Sequence, residues 1–259
     1  MKSFNTVTKF RILHVINHLV AGTGIYMAIT SGQYVWFAVG LFFFLWAGII
    51  GINVGLHRYY SHQSFKTTPF KENILLWSTI LTSVGSPAMW CSIHRMHHSS
   101  SDTDSDPHDP SYGKLKTWFG IWKPMNIPKR FIVPFLKTPQ LKLIHANYFL
   151  FSYVLLIGLM LIDIRLSAFV YAIPAIGCFH GAQSIGVLPH LWGYRRYNTN
   201  DKSHNNWLAS ILALGEGWHN NHHANPGRWY QGETWWEIDP PAFAIKHFFI
   251  NKENIFVEK

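Results

Sequence analysis

No Asp, Glu, Lys or Arg stands between Arg11 and Arg58, and this uncharged run of 46 residues constrains the fold more than any other feature of the chain. One bilayer-spanning helix needs about 20 apolar residues, so the run has room for two spans and a short turn. Thr30, Ser31, Gly32 and Gln33 mark the break, being residues that favour turns over helix interiors. The expected helices are 12–29 and 34–56. A second uncharged pair, 143–162 and 166–190, is divided by Asp163 and Arg165. Its later member is longer than a bilayer requires and is expected to project into water. The reading is an all-α chain with four transmembrane helices in two hairpins. A helical cap made of 57–142 and 191–259 completes a single membrane-embedded domain.

Charge placement suggests an orientation. Of the 22 Lys and Arg residues, three precede the first span (Lys2, Lys9, Arg11), eleven lie between the hairpins and seven follow the last span, leaving Arg165 alone on the other side. Cytoplasmic flanks are enriched in Lys and Arg. Both termini and the cap are therefore expected to be cytoplasmic, in a bacterial inner membrane or the endoplasmic reticulum. The net charge of +9 is accounted for by orientation and anionic headgroups. No basic helix carries groove-reading residues, so a nucleic-acid partner is not expected. Lys2, Lys9 and Arg11 ahead of an apolar run resemble a secretory signal, but another span follows at once and no clear cleavage site is present, so the first helix is read as retained. Cys91 and Cys178, the only cysteines, lie in apolar segments and are read as buried free thiols.

Eight of the 16 histidines fall into three groups: His57 with His62, then His94, His97 and His98, then His219, His222 and His223. In the second and third groups the spacing i, i+3, i+4 places all three on one helix face, where their imidazoles are expected to converge on a shared point. A single histidine pair on a helix is usually solvated polar surface. Three groups, two with the same spacing, favour metal ligation, and eight imidazoles exceed the needs of one tetrahedral ion. Two metals are the economical reading. His14, His18, His108, His145, His180, His204 and His247 are assigned structural roles.

A shared centre also decides the uncharged segment 73–93, which is long enough to span but is interrupted by Gly85, Ser86 and Pro87. The three groups meet only if an even number of crossings separates them, so this segment is expected to be re-entrant or interfacial. Metal transporters and haem carriers are disfavoured, because they place ligands within their spans.

The stretches Gly55-Leu-His-Arg-Tyr-Tyr-Ser-His-Gln-Ser-Phe65, Trp90 through His94-Arg-Met-His-His98 to Asp106-Pro-His-Asp-Pro110, and His190-Leu-Trp-Gly-Tyr-Arg-Arg-Tyr197 followed by Gly215-Glu-Gly-Trp-His-Asn-Asn-His-His223 resemble the three histidine boxes of integral-membrane fatty acid desaturases of the stearoyl-CoA type. The likeness runs from about residue 35 to residue 230. It implies a non-haem centre of two iron ions that uses dioxygen and two electrons to leave a cis double bond, at the delta-9 position by family habit, in a long acyl chain carried on CoA or a lipid. By the same likeness His57, His62, His94, His97, His98, His219, His222 and His223 are ligands, and His190 is a ninth. Asp102, Asp106 and Glu216 match carboxylates near the family's centre and are expected to orient imidazoles by accepting the second ring N–H. Trp90 is expected to line an apolar substrate tunnel. Where family members commonly carry Asn four residues before the extra histidine, this chain has Gly186, with Gln183 nearby. No cytochrome domain is recognisable in the 259 residues, so a separate donor of ferredoxin or cytochrome type is expected. The nearest rival is a membrane di-iron hydroxylase with the same boxes.

Overall fold

The computed structural model describes residues 6–121 and 126–251. Lys2, Lys123 and residues 252–259, which the sequence reading places on the basic flanks and in the cap, lie outside the described residues. Helices α1 (Thr6–Thr30) and α2 (Val35–Ser61) form one hairpin, and α3 (Pro69–Thr82) and α4 (Pro87–Ser100) form a bent pair. Two short helices follow, α5 (Lys114–Trp118) and α6 (Lys129–Leu136). The second hairpin is α7 (Pro139–Ile162) and α8 (Ile164–His190). Beyond it lie α9 (Trp207–Leu212), α10 (His219–Ala224) and α11 (240–249). Among the described residues the only strand-like pairing is two isolated bridges, Tyr194 with Asn205 and Asn205 with Trp218.

Four helices, α1, α2, α7 and α8, are long and apolar enough to cross a membrane. The first hairpin reverses where the sequence breaks, with Gly32 at a φ of +68°, a conformation that costs glycine little. At the other turn Asp163 caps α8 by accepting the Arg165 backbone N–H, and Arg165 donates to Gln33 Oε1 at 2.5 Å, tying the two turns together. Close packing inside the bundle needs small residues: a Cβ on Gly24 would lie 2.2 Å from that of Ala168. Leu19, Phe42, Val154 and Leu161 point outward and are exposed, as expected of surfaces that face lipid.

Helices α2 and α8 each have 27 residues. At 1.5 Å per residue they are about 40 Å long, some 10 Å more than a hydrocarbon core of about 30 Å. His57 and His190 stand in the final turns of these two helices. The final part of α2, Trp46–Ser61, is wound with wide i→i+5 turns, and the His62 N–H continues the pattern by donating to the His57 carbonyl at 3.1 Å.

The segment 73–93 does not run straight. Helices α3 and α4 meet at 86°, and polar side chains from both hairpins hold the bend. His14 Nε2–H donates to the Ser83 carbonyl (2.9 Å), Asn17 donates to Ser83 Oγ (3.3 Å), and Gly85 N–H donates to Tyr148 Oη (3.1 Å). Ser83 sits at a φ of +52°, and Ser86 caps α4 by accepting the Met89 N–H while bonding His145. Helix α4 therefore returns toward the end of α2.

Candidate metal centre

The nine histidines singled out by the sequence come together, and they divide into two groups. His57, His62, His94, His98 and His222 form one, and His97, His190, His219 and His223 form the other; within each, one ring nitrogen per residue lies within 4.8 Å of every other. All nine are buried or half-buried.

The expectation that each i, i+3, i+4 set converges on one point is corrected by this division. Successive residues on an α-helix are turned by about 100°, so i and i+4 stand about 40° apart, while i+3 stands about 60° away on the other flank. On α4, His94 and His98 face the five-histidine group and His97 faces the other; on α10, His219 and His223 face the four-histidine group and His222 faces the first. Each helix thus gives a pair to one centre and a single ligand to its neighbour. His57 and His62 would stand about 140° apart on an α-helix. The wide turns at the end of α2 bring them into the same group, an example of π-type winding at a functional position.

Facing nitrogens are close: His57 Nε2 to His222 Nε2 is 3.0 Å, His62 to His94 2.8 Å, His98 to His222 2.9 Å, His190 to His219 3.1 Å and His97 to His223 3.3 Å. Imidazoles bound to one transition-metal ion at about 2.1 Å place adjacent nitrogens about 3.0–3.4 Å apart.

Carboxylates set which nitrogen faces inward. His57 Nδ1 lies 2.5 Å from Glu216, His97 Nδ1 2.9 Å from Asp106, His190 Nδ1 2.9 Å from Asp102, and His223 Nδ1 2.8 Å from Asp201. An ionised carboxylate only accepts, so each of these Nδ1 atoms carries the proton and Nε2 presents a lone pair. In the four-histidine group three such lone pairs, from His97, His190 and His223, point at one another, an arrangement that repels unless a cation sits between them. The donor set fits a pair of transition-metal ions.

The carboxylates are themselves held. Burial opposes ionisation of Glu216, but Arg58 and His57 overcome it and hold the carboxyl at about 2. Asp106 is likewise held at about 2, against burial, by its bond to His97. Arg58, fully buried, donates to Glu216 (2.8 Å) and to Asp239 (3.1 Å); Gln231 donates to the second Glu216 oxygen at 2.8 Å. Asp106 also accepts the backbone N–H groups of Asp102 and His108, each at 2.8 Å. Burial holds the His94, His98, His219 and His222 rings well below their usual range, His62 at about 2 and His223 at about 4. They are neutral donors at physiological pH.

Asp201 was not singled out by the sequence. It lies in a loop without periodicity, and only its reach to His223 distinguishes it from the polar residues around it. Asp239 and Gln231 escaped for the same reason, and Arg58, on α2 beside His57, is marked only by its reach to Glu216 and Asp239. The histidines assigned structural roles mostly keep them: His14, His145 and His204 bond Ser83, Ser86 and the Pro189 carbonyl. His108 instead lines a cavity beside His97, with ring centres 5.7 Å apart.

That cavity has a volume of about 1020 Å³ and reaches both groups, with His57 and His94 of one and His97 and His219 of the other in its wall. Ligand sites of this type run to roughly 1,000 Å³ and are mostly apolar. Trp90 lines it and stacks on His94, the rings 13° from parallel. Gly186 and Gln183 also line it; a Cβ on Gly186 would meet His108 and Thr117 only at 3.8 Å.

The fatty acid desaturase family model matches residues 34–245, most of the chain. The chain belongs to the fatty acid desaturase family. The desaturase is 34% identical over 226 residues, 83% of its length and 82% of the relative's, to the sn-1 stearoyl-lipid 9-desaturase of Anabaena variabilis. It is 35% identical over 244 residues to the protein of the same name from Synechocystis sp., covering 88% and 73% of the two chains. Delta-9 acyl-lipid desaturase 2 of Arabidopsis thaliana is 34% identical over 220 residues, 81% of the desaturase and 70% of the relative. The desaturase is thus an oxidoreductase of fatty acyl chains, with a membrane-embedded bundle and histidine groups suited to metal.

Proposed function

We propose that the chain forms a cis double bond between the ninth and tenth carbons of a saturated, lipid-linked acyl chain. In this reading it is a single membrane-embedded domain whose cap faces the cytoplasm, with His57, His62, His94, His98 and His222 holding one iron ion and His97, His190, His219 and His223 the other. The cavity carries this reading: one apolar channel touches both histidine groups, so an extended acyl chain inside it lies against both metal positions.

The balanced reaction takes two hydrogens from neighbouring methylenes, and with dioxygen, two electrons and two protons gives the alkene and two waters. The metal pair supplies the oxidising power when bound. The chain's own residues supply position and dryness. Trp90, stacked on His94, narrows the channel beside the five-histidine group and fixes which methylenes pass it. Apolar walls keep bulk water from the reacting carbons. Glu216, Asp102, Asp106 and Asp201 hold the Nδ1 protons of His57, His190, His97 and His223, so these four imidazoles keep their Nε2 lone pairs turned inward. Electrons come from a separate carrier of ferredoxin or cytochrome type. The acyl-lipid carrier and the delta-9 position rest on the names of the relatives.

Expression in a host lacking delta-9 activity, followed by mass spectrometry of derivatised fatty acids, tests the reading. The expected result is a new delta-9 monoene that disappears with His94→Ala while membrane insertion is retained. Hydroxylated product alone would replace desaturation with hydroxylation, and a bond elsewhere would overturn the position.

A further inference from the structure

The two histidine groups resemble each other in their ligands and differ in the charge behind them. In the four-histidine group three imidazoles rest on aspartates: His97 on Asp106 (2.9 Å), His190 on Asp102 (2.9 Å) and His223 on Asp201 (2.8 Å). Among the described residues the other donors to these carboxylates are backbone N–H and hydroxyl groups, those of Lys202 N–H to Asp102 at 2.6 Å and Ser203 N–H to Asp201 at 2.9 Å being the closest amides. In the five-histidine group, among the described residues, only His57 meets a carboxylate, Glu216 at 2.5 Å. Arg58 shares that carboxylate, donating to it at 2.8 and 3.2 Å, and also pairs with Asp239. Even with Asp239 counted, the ionic side chains behind His57 carry one net negative charge, against three for the aspartates of the other group. Arg95, on α4, adds a second cation whose field reaches His62. The side chains of Arg58, Glu216, Asp239, Asp102, Asp106 and Asp201 are each at most 14% exposed, so water screens these charges little.

A carboxylate on the outer N–H of a ligand imidazole raises the basicity of that ligand. The potential of protein-bound iron moves with net charge, hydrogen bonding and solvent exposure, and buried negative charge favours the more highly charged ion. We infer that these charges make the two metal positions unequal: the four-histidine group prefers ferric over ferrous iron more strongly than the five-histidine group does, so its ion has the lower reduction potential. This rests on the proposed function, which makes both ions iron. Each reducing step moves one electron from the reduced carrier to a ferric ion, which becomes ferrous as the carrier is oxidised, and no bond breaks. The first electron goes to the five-histidine group and the second to the four-histidine group. Asp102, Asp106 and Asp201 thereby act as positioning residues for charge as well as for ring orientation, and Arg58 offsets the charge of Glu216 at His57.

The test is a redox titration of the iron-loaded, full-length protein in nonionic detergent, with dithionite and mediators, read by Mössbauer and electron paramagnetic resonance spectroscopy. His98→Ala keeps the four-histidine group whole and His97→Ala keeps the five-histidine group whole. Iron in His98→Ala is expected at the lower potential. Asp201→Asn added to His98→Ala is expected to reduce the ferric-over-ferrous preference about tenfold, an upward shift of about 59 mV for one electron. The same change added to His97→Ala leaves the potential where it was. Where a histidine variant does not hold iron, the wild-type protein decides, because Asp201→Asn must raise the lower of its two potentials and not the upper. A single shared potential, the reverse order, or a shift of the upper potential by Asp201→Asn overturns the inference. Desaturation is followed separately by its product. Potentials in the expected order without product uphold the inequality and overturn the parent reading; product with equal potentials does the reverse, and a wild-type protein that takes up no iron overturns both.

Discussion

His97 and His98 are neighbours in the chain and face different metal positions, because adjacent side chains on α4 diverge by about 100°. Single substitutions therefore separate the two positions. His98→Ala is expected to leave about one tightly held metal per chain with the four-histidine group intact, and His97→Ala to leave one in the five-histidine group. Metal analysis after dialysis against a weak chelator, with a spectroscopic signature of the remaining ion, reads the difference. Identical signatures in the two variants would refute the division.

Asp201 accepts the Nδ1 proton of His223 and touches no other histidine in the groups. Asp201→Asn keeps the shape but lets the amide offer N–H to that ring nitrogen, which no longer fixes the tautomer. Loss of such a partner weakens metal affinity about 10–100-fold. The four-histidine position is expected to weaken by that factor and the other to hold its ion, as seen by competition titration. Equal weakening at both would show a general loss of structure.

The polar residues around the bend between α3 and α4 give a different kind of prediction. His14→Ala removes the donor to the Ser83 carbonyl and leaves that buried acceptor without it, a cost of about 1–3 kcal/mol. The expected result is a lower melting temperature and faster proteolysis at residues 83–86. Metal stoichiometry at low temperature should match wild type, since His14 borders neither histidine group. A melting temperature equal to wild type would mean that the bend is held without it.

Two glycines near the site should respond in opposite ways. A Cβ on Gly186 meets nothing closer than 3.8 Å, whereas on Gly217 it would fall 2.1 Å from the Ser210 amide nitrogen and 2.3 Å from the Asn206 carbonyl. Gly186→Ala in the interior of α8 is expected to be neutral or stabilising by about 0.5–1 kcal/mol. Gly217→Ala forces backbone apart between Glu216 and His219 and should cost about 1–3 kcal/mol, with weakened metal binding. Chemical denaturation of the two variants beside wild type measures both.

How far the sequence could be read follows from what each feature depends on. The spans were legible because an uncharged run reports directly on the surrounding solvent. The break at Gly32 and the return of segment 73–93 were legible from turn residues and from the need to bring the histidine boxes together. The division of the boxes was recoverable from helix angles but was read too coarsely, as one face and one point. The winding at the end of α2 has no sequence periodicity that announces it, so how His57 and His62, grouped in the sequence, come to face one centre needed coordinates. Asp201 and Asp239, on loops, and Arg58, on α2, act through contacts between segments far apart in the chain, and no local pattern reports such contacts.

Acid should destabilise the metal-free protein well before its carboxylates titrate. His62, His94, His98, His219, His222 and His223 are held neutral by burial, with values below the 6.5 of an ordinary histidine, about 2 for His62 and about 4 for His223. The unfolded chain therefore takes up protons first as pH falls through 6.5, and stability is lost from there downward, each neutral histidine contributing about 1.4 kcal/mol per pH unit. Glu216 and Asp106, held at about 2, have the opposite shift: their stabilisation is present above the ordinary carboxylate range and is lost only at pH below about 4. Melting of the metal-free protein is thus expected to be flat above pH 7, to fall steeply between 6.5 and 5, and to show a further loss below 4. Metal-loaded protein should resist until protons displace the ions, because ligation requires the same neutral imidazoles. A melting temperature unchanged between pH 7.5 and 5 in the metal-free protein would show that these rings are not buried as neutral donors.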